Sequence, residues 1–168
     1  MRKLHLFILG AVLVGLTACN KGLVYSRFQP VSSDNALSSI GGWHVDSVPS
    51  FDYTIEDAAA EYRMLVYVRH TERYPYQNMW LFVDEGTHRD TIEFYLADDR
   101  GRWLGDKHHG FIEMPVLYEA NYHYPDTGRY YIAIQHGMRD RVLRGITDVG
   151  VEIVKNEGEN ERMRSGEE

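Results

Sequence analysis

Apolar side chains recur at every second position in several short segments of this chain. The segments with this alternation, or with a short apolar run of similar length, are 51–56, 62–69, 79–83, 91–97, 111–118, 130–136 and 146–154. Because successive side chains of a strand point to opposite faces, this spacing predicts half-buried β-strands. Turn-forming residues separate the segments, and no long stretch has helical spacing. The sequence therefore predicts an all-β fold, a single jelly-roll-like β-sandwich domain.

Two local features add detail to this prediction. Pro115 has no backbone N–H, which places the strand that contains it at the edge of a sheet. The segment from Met138 to Leu143 has a spacing that fits one or two helical turns. We therefore expect one short helical segment before the last strand.

The first residues form an export signal. Arg2 and Lys3 precede an apolar stretch that is too short to span a bilayer as a helix. Leu16-Thr17-Ala18-Cys19 follows as a lipobox, and Cys19 is the one cysteine in the sequence. We expect cleavage after Ala18 and acylation of Cys19, which attaches the protein to a membrane. An intramolecular disulfide needs a second cysteine, so none can form.

Composition divides the chain into four parts. Residues 1–18 are the signal peptide, and residues 19–40, rich in Ser, Gly, Asn and Gln, are expected to be the lipidated cysteine and a tether. Residues 41–155 contain the strand pattern and are expected to be the folded domain. Residues 156–168 contain many acids and no aromatic residue, which is typical of a disordered tail.

The charge balance excludes one class of partner. Without Arg2 and Lys3 the chain has 16 Lys and Arg against 25 Asp and Glu, a net charge of −9 with histidine neutral. Proteins that bind nucleic acid need clustered cations that displace counterions from phosphates. We therefore expect no nucleic-acid partner.

The sequence offers little support for catalysis or for a bound metal. It contains no Gly-x-Ser-x-Gly elbow, no His-Glu-x-x-His pattern and no EF-hand loop. The densest group of metal-ligating residue types is Asp98, Asp99, Asp106, His108 and His109, which we interpret as a solvated turn. We expect no enzymatic activity, no metal and no cofactor, although a hydrolase with carboxylates near Asp98 and Asp106 remains an alternative.

Four tyrosines suggest a different alternative. Tyr74 and Tyr76 flank Pro75, and Tyr122 and Tyr124 lie together further along the chain. Exposed aromatic rings stack on sugars, so these side chains could form the platform of a glycan-binding module. Packing at the edge of strands is the competing interpretation.

One cationic cluster and one glycine loop complete the candidate sites. Arg139, Arg141 and Arg144 form a cationic cluster in an acidic chain. Arginine is common at interfaces because its planar guanidinium group makes bidentate hydrogen bonds to carboxylates. We expect these arginines to dock a partner. Trp103, between Gly101 and Gly105, is expected to anchor a structural loop to the core.

The order and spacing of several motifs resemble the GldH family of gliding-motility lipoproteins. The motifs are the lipobox ending at Cys19, Tyr76-Gln77-Asn78-Met79-Trp80-Leu81, Asp90-Thr91, Leu96-Ala97-Asp98, Gly101-x-Trp103-Leu104-Gly105, Pro125-x-x-Gly128-x-Tyr130 and Gln135-x-x-Met138-Arg139-x-x-x-Leu143-x-Gly145-Ile146-x-Asp148-Val149-Gly150. The resemblance covers most of the predicted domain. It implies an envelope lipoprotein that supports gliding motility and the associated protein-secretion machinery, and it implies no catalytic residue.

These observations together predict a lipoprotein anchored to the outer membrane through the lipid on Cys19 and facing the periplasm. Its expected role is that of a non-enzymatic accessory or scaffold component, with envelope proteins of the gliding and secretion machinery as partners. A glycan-binding β-sandwich module of the cell envelope is the main alternative.

Overall fold

The computed structural model describes residues 22–32 and 42–156, and these residues form eleven β-strands and no helix. The predicted signal peptide, Cys19 and the predicted tail beyond Asn156 lie outside the described residues. The strands are β1 Leu23–Pro30, β2 Gly42–His44, β3 Ser50–Ile55, β4 Tyr62–His70, β5 Asn78–Asp84, β6 Arg89–Tyr95, β7 Asp106–Lys107, β8 Ile112–Tyr122, β9 Gly128–His136, β10 Val142–Arg144 and β11 Ile146–Lys155.

The strands form two large antiparallel sheets and one small one. The first sheet has the order β1-β11-β4-β8-β7, and the second has the order β3-β9-β5-β6. Strands β2 and β10 pair as a separate ribbon. The two large sheets enclose one hydrophobic core, so the predicted all-β sandwich is confirmed.

Alternation along the strands fills the core. In β4 every second side chain from Tyr62 to His70 is buried, and β3 alternates in the same way. In the second sheet, β5 and β9 bury Met79, Leu81, Val83, Ile132 and Ile134. The period-two pattern of the sequence therefore corresponds to the inner faces of the two sheets.

Pro115 lies where the sequence placed it, on an open strand edge. Strand β8 pairs with β4 on one side, and on the other side β7 covers only Ile112 and Glu113. Beyond Glu113 that side of β8 has no partner strand among the described residues, so the missing N–H of Pro115 costs no ladder hydrogen bond there.

The prediction of a tether over residues 19–40 is wrong for residues 23–30. These residues form β1, which pairs with β11 from Leu23↔Val154 to Pro30↔Asp148. The ring of Phe28 lies over Gly150, and Val31 enters the core immediately after the strand. Because β1 is an edge strand with most side chains exposed, it lacks the alternation that marks the other strands.

The predicted helical turns over residues 138–143 are also wrong. The segment is a turn followed by β10, in which Leu143 lies opposite Trp43 of β2. A helix of one or two turns has almost no stability of its own, since nucleation is unfavourable. Pairing with β2 therefore decides the local structure.

Candidate functional site

One end of the sandwich is closed by a cap, which we define as residues 42–47, 71–77 and 137–145. Two backbone hydrogen bonds hold the cap together: the Val45 amide donates to the Arg141 carbonyl at 2.8 Å, and the Thr71 amide donates to the Gly145 carbonyl at 2.7 Å. A third, from the Gly137 amide to the Trp80 carbonyl at 2.7 Å, attaches the cap to β5. The predicted docking arginines, Arg139, Arg141 and Arg144, all lie in this cap. Its geometry therefore decides what those arginines can do.

Trp43 fixes the cap to the core. Its side chain is completely buried, and its Nε1–H donates to the carbonyl of Ser47 at 2.7 Å. The indole meets the ring of His136 edge to face, with centroids 5.2 Å apart. A buried tryptophan with its N–H satisfied contributes a large apolar area at little polar cost, so the base of the cap is firmly held.

Gly145 brings two distant segments into backbone contact. It has φ of +84°, and a Cβ built on it would lie 2.4 Å from the backbone nitrogen of Tyr74 and 2.8 Å from the carbonyl carbon of Arg73. Only glycine permits this conformation and this approach. As a result, Arg73 lies beside the segment that ends in Arg144, and it joins the cationic cluster. No local signal in the sequence connects these two arginines.

The arginines of the cap are exposed and largely unpaired. Arg73, Arg139 and Arg144 form no ion pair with any described residue. Arg141 lies 3.1 Å from Asp46, but both side chains are about 70% exposed, 73% and 70%, so this pair contributes little stability. Their guanidinium groups are therefore available to carboxylates of another molecule.

The acids of the cap are already engaged to a greater extent. Asp46 pairs with Arg141, and Asp140 accepts a hydrogen bond from the Tyr76 hydroxyl at 2.6 Å. That bond to Asp140 raises the pKa of Tyr76 above its ordinary value. Among the cap's three acids, Glu72 is the one with no such bond in the part of the chain that the structure describes. Because the Tyr76 hydroxyl is neutral, the cap has three arginines and two acids, Glu72 and Asp140, without an oppositely charged partner among the described residues.

Two histidines lie buried beneath the cap. His70 and His136 end β4 and β9, and both are fully enclosed. Burial lowers the pKa of both imidazoles. Neither ring nitrogen of His136 has a hydrogen-bond partner. The nearby carbonyls of Trp43 and Arg141 raise the pKa of His136, but by less than burial lowers it. Both rings are therefore neutral in the folded protein near pH 7.

The Trp103 loop packs on the side of the cap. Trp103 pairs with Ala97 in an isolated bridge, and its ring lies 4.7 Å from that of His70. Gly105 has φ of +82°, and a Cβ there would lie 2.4 Å from the carbonyl oxygen of Glu113, whereas Gly101 has open space around it. The tryptophan and Gly105 thus tie the loop to β4 and β8.

Asp98 organises the same loop. Its carboxylate accepts hydrogen bonds from the backbone amides of Arg100 and Arg102 and from the Arg102 guanidinium at 2.7 Å. The bond from the Arg102 amide is the largest of the effects that lower the pKa of Asp98. In residues 22–32 and 42–156, no three His, Cys, Asp or Glu side chains converge as a metal site would require.

The tyrosines proposed as a sugar platform are not exposed together. Tyr74 and Tyr124 are each only 3% exposed, and Tyr76 and Tyr122 are half-buried. Tyr74 donates to the carbonyl of Asn78, and the hydroxyl of Tyr124 meets that of Tyr53 inside the core. The alternative of a sugar platform therefore does not hold for the two buried rings, which pack in the protein instead.

A group of carboxylates and tyrosines at the opposite end was not anticipated. The Tyr118 hydroxyl donates to Asp90 at 2.9 Å, which joins β8 of one sheet to β6 of the other. Burial raises the pKa of Glu85, whereas the bond from Tyr118 lowers that of Asp90. This group links the two sheets where their edges meet, and its members are too far apart in sequence to form a recognisable motif.

Cys19 lies outside the described residues, and within those residues no helix is long and apolar enough to cross a membrane.

Comparison with known proteins gives a consistent result. The family model of the GldH lipoprotein matches residues 31–153. A gliding motility lipoprotein GldH homolog of Christiangramia forsetii is 28% identical over 90% of this chain and 95% of its own length. The gliding motility lipoprotein GldH of Flavobacterium johnsoniae is 29% identical over 88% of this chain and 93% of its own length.

Solved structures give only distant likenesses. Latent PorU of Porphyromonas gingivalis matches 85% of this chain with 14% of its own, at a TM-score of 0.37 and 6% identity. The CBM35 module of Cellvibrio japonicus Abf62 matches 84% of this chain with 96% of its own, at a TM-score of 0.31 and 12% identity. At these scores neither likeness supports an argument about function.

Proposed function

This chain belongs to the GldH lipoprotein family, and from that premise we propose that it is a non-enzymatic accessory component of the envelope machinery for gliding motility and associated protein secretion. In this proposal the lipid on Cys19 anchors it to the outer membrane, and the cap docks an acidic segment of a protein partner. The names of the two relatives support the motility role.

The observation that carries the docking role is the set of unpaired arginines on the cap. Arg73, Arg139 and Arg144 extend from a rigid base, in a chain whose total charge is −7. Guanidinium groups bind carboxylates through two parallel, charge-assisted bonds, which gives orientation as well as attraction. A partner that presents acidic side chains would satisfy these donors.

The alternative functions have less support. A sugar platform needs exposed rings, and Tyr74 and Tyr124 are buried. A hydrolase near Asp98 and Asp106 needs a carboxylate free to act, whereas the carboxylate of Asp98 is occupied by three hydrogen bonds within its own loop. We therefore propose no second function.

Reversing the charge of two cap arginines tests the proposal. Arg141 and Arg144 are exposed, so changing both to Glu should alter the free energy of unfolding by only about 0.5 kcal/mol per site. We expect the double variant to lose envelope partners in crosslinking and co-purification, and to fail to restore motility or secretion to a deletion strain.

The matched control is Arg63→Glu with Arg129→Glu. These two exposed arginines lie at the other end of the sandwich, and the change in net charge is the same. The control should keep partners and phenotype. A stable cap variant that retains every partner and complements the deletion would show that the cap arginines are an ordinary solvated surface.

A further inference from the structure

The link between the lipidated residue and the folded domain is short. Only Asn20 and Lys21 separate Cys19 from Gly22, and the carbonyl of Gly22 already accepts a hydrogen bond from the amide of Lys155 at 2.7 Å. Consecutive Cα atoms are 3.8 Å apart, so Cys19 lies within about 11 Å of Gly22. The end of the sandwich that holds Gly22 is therefore tied closely to the membrane, a conclusion that rests on the proposed acylation of Cys19.

Three strand connections share that end, which we call the anchor end: residues 56–61, 85–88 and 123–127. Lys155 Nζ bonds Asp57 at 2.7 Å, and His123 lies 3.6 Å from Glu61. The amide of Asn156 also donates to the carbonyl of Glu61. These contacts gather the anchor end around the last residue of β11.

The cap lies at the other end of the same strands. Strand β11 has ten residues, and residue 145 of the cap directly precedes it. At 3.4 Å per residue in an antiparallel strand, the cap is separated from the anchor end by about 30 Å. Strand β1 runs beside β11 in the opposite direction, from the anchor end towards the cap.

The two ends differ in charge. The three connections of the anchor end contain five acids and no lysine or arginine, namely Glu56, Asp57, Glu61, Glu85 and Asp126. The cap instead contains four arginines against three acids. Acids next to phosphate headgroups are repelled, and the exposed Arg63, Arg129 and Lys155 on the adjoining strands are fewer than these acids. The anchor end therefore has no excess of cations that would attract it to an anionic membrane. The covalent link, and not affinity for lipid, must hold it there.

We infer that the sandwich stands on its anchor end, with the cap about 30 Å further from the bilayer and directed away from it. In this orientation the cap arginines are too far from the lipid to contact it. They contact an acidic segment of a protein that lies at the same distance from the bilayer as the cap. This deepens the proposed docking function, because it specifies where the acidic segment of the partner has to lie.

Energy transfer from single dyes to the membrane surface tests this orientation. Acylation occupies the one native thiol, so Thr127→Cys at the anchor end and Glu72→Cys in the cap each provide a unique labelling site on an exposed residue. The acylated protein is placed in phosphatidylethanolamine vesicles with acceptor dye on the headgroups. We expect several-fold more efficient transfer from position 127 than from position 72.

A longer link provides the causal control. Inserting ten Gly and Ser residues between Asn20 and Lys21 allows the domain to turn, since such a linker has a root-mean-square span of about 16–19 Å. We expect the difference between the two positions to collapse. Equal transfer in the native-length protein, or a difference that survives the insertion, would overturn the inference.

Two further outcomes separate this inference from the proposals on which it rests. If transfer from position 72 became strong when phosphatidylglycerol was added, the cap would be a lipid-binding surface and the inference would be wrong. If neither labelled protein joined the vesicles, the acylation of Cys19 would be refuted together with the inference. Docking itself is measured separately, on soluble Cys19→Ala protein with the arginine variants, so its failure is distinguishable.

Discussion

The buried residue His136 makes the stability of the fold beneath the cap depend on pH. Its imidazole is enclosed between Trp43 and the end of β9, and burial lowers its pKa, as it does for His70. In the unfolded chain a histidine takes up a proton near pH 6.5. Below that pH the unfolded state binds more protons than the folded state, so protonation favours unfolding.

We therefore predict that the free energy of unfolding is highest above about pH 6.5 and falls as the pH is lowered through that value. Each histidine contributes a slope of at most about 1.4 kcal/mol per pH unit. His136→Leu should reduce the slope between pH 7 and pH 5.5. It should change stability little at pH 8, because it removes two buried nitrogens that have no hydrogen-bond partner.

Urea unfolding at a series of pH values measures this effect. His109→Leu, which changes an exposed histidine, is the control and should keep the wild-type slope. Burial raises the pKa of Glu85, so this group stabilises the folded state at low pH, and that stabilisation is lost as the pH rises. Its effect on stability is therefore opposite in sign to that of the histidines. A His136→Leu protein with an unaltered slope would show that other groups produce the acid sensitivity.

At the scale of elements, the junction between β10 and β11 decides whether the cap can form. Gly145 makes this junction in the left-handed region and in contact with the backbone of Tyr74. The backbone atoms of Tyr74 cannot move aside as a flexible side chain would. The junction therefore tolerates no Cβ.

We predict that Gly145→Ala destabilises the fold more than Gly101→Ala. Both positions have positive φ, +84° and +74°, so each change costs about 1–2 kcal/mol for the left-handed conformation. Gly101 has open space around it, whereas Gly145→Ala adds a clash with Tyr74. Denaturant unfolding of the two variants isolates the clash, and equal losses of stability would show that the cap backbone yields easily.

At the scale of the whole molecule, β1 determines where the domain begins. It covers the edge of β11, and the guanidinium of Arg69 lies 3.6 Å from the centroid of the Phe28 ring. Without β1 the edge of β11 would be open to water and Val31 would be absent from the core. The described domain therefore begins only three residues after Cys19, and the proposed acylation of Cys19 would place it close to the membrane.

We predict that a protein beginning at Gly42 is much less stable than one beginning at Gly22. Val31 is buried, which is worth roughly 1.5–3 kcal/mol, and the half-buried Phe28 adds a smaller amount, so the loss should lower Tm by about 10 °C. Thermal unfolding of the two proteins, both without lipid, makes the comparison. Equal Tm values would show that β1 does not stabilise the domain and would favour the original prediction that residues 19–40 are a tether.

The sequence by itself determined the fold class and most of the strands, since alternation along a strand is a local property that does not depend on which strands become neighbours. Residues 62–69 illustrate this, because the alternate positions from Tyr62 to Val68 are the ones that β4 buries, and β9 likewise buries Ile132 and Ile134. The arginines of residues 139–144 and the lone Cys19 were also evident from sequence, as runs and motifs are local.

Only the tertiary structure decided which side chains those strands bring together. Arg73 joins Arg144 because Gly145 allows two segments distant in sequence to touch, and Tyr74 and Tyr124 are buried because the sandwich closes over them. Residues 23–30 become a strand through pairing with β11, and residues 142–144 through pairing with β2. In each case the deciding contact is long-range, and its free energy exceeds the weak local preferences that a sequence pattern reports.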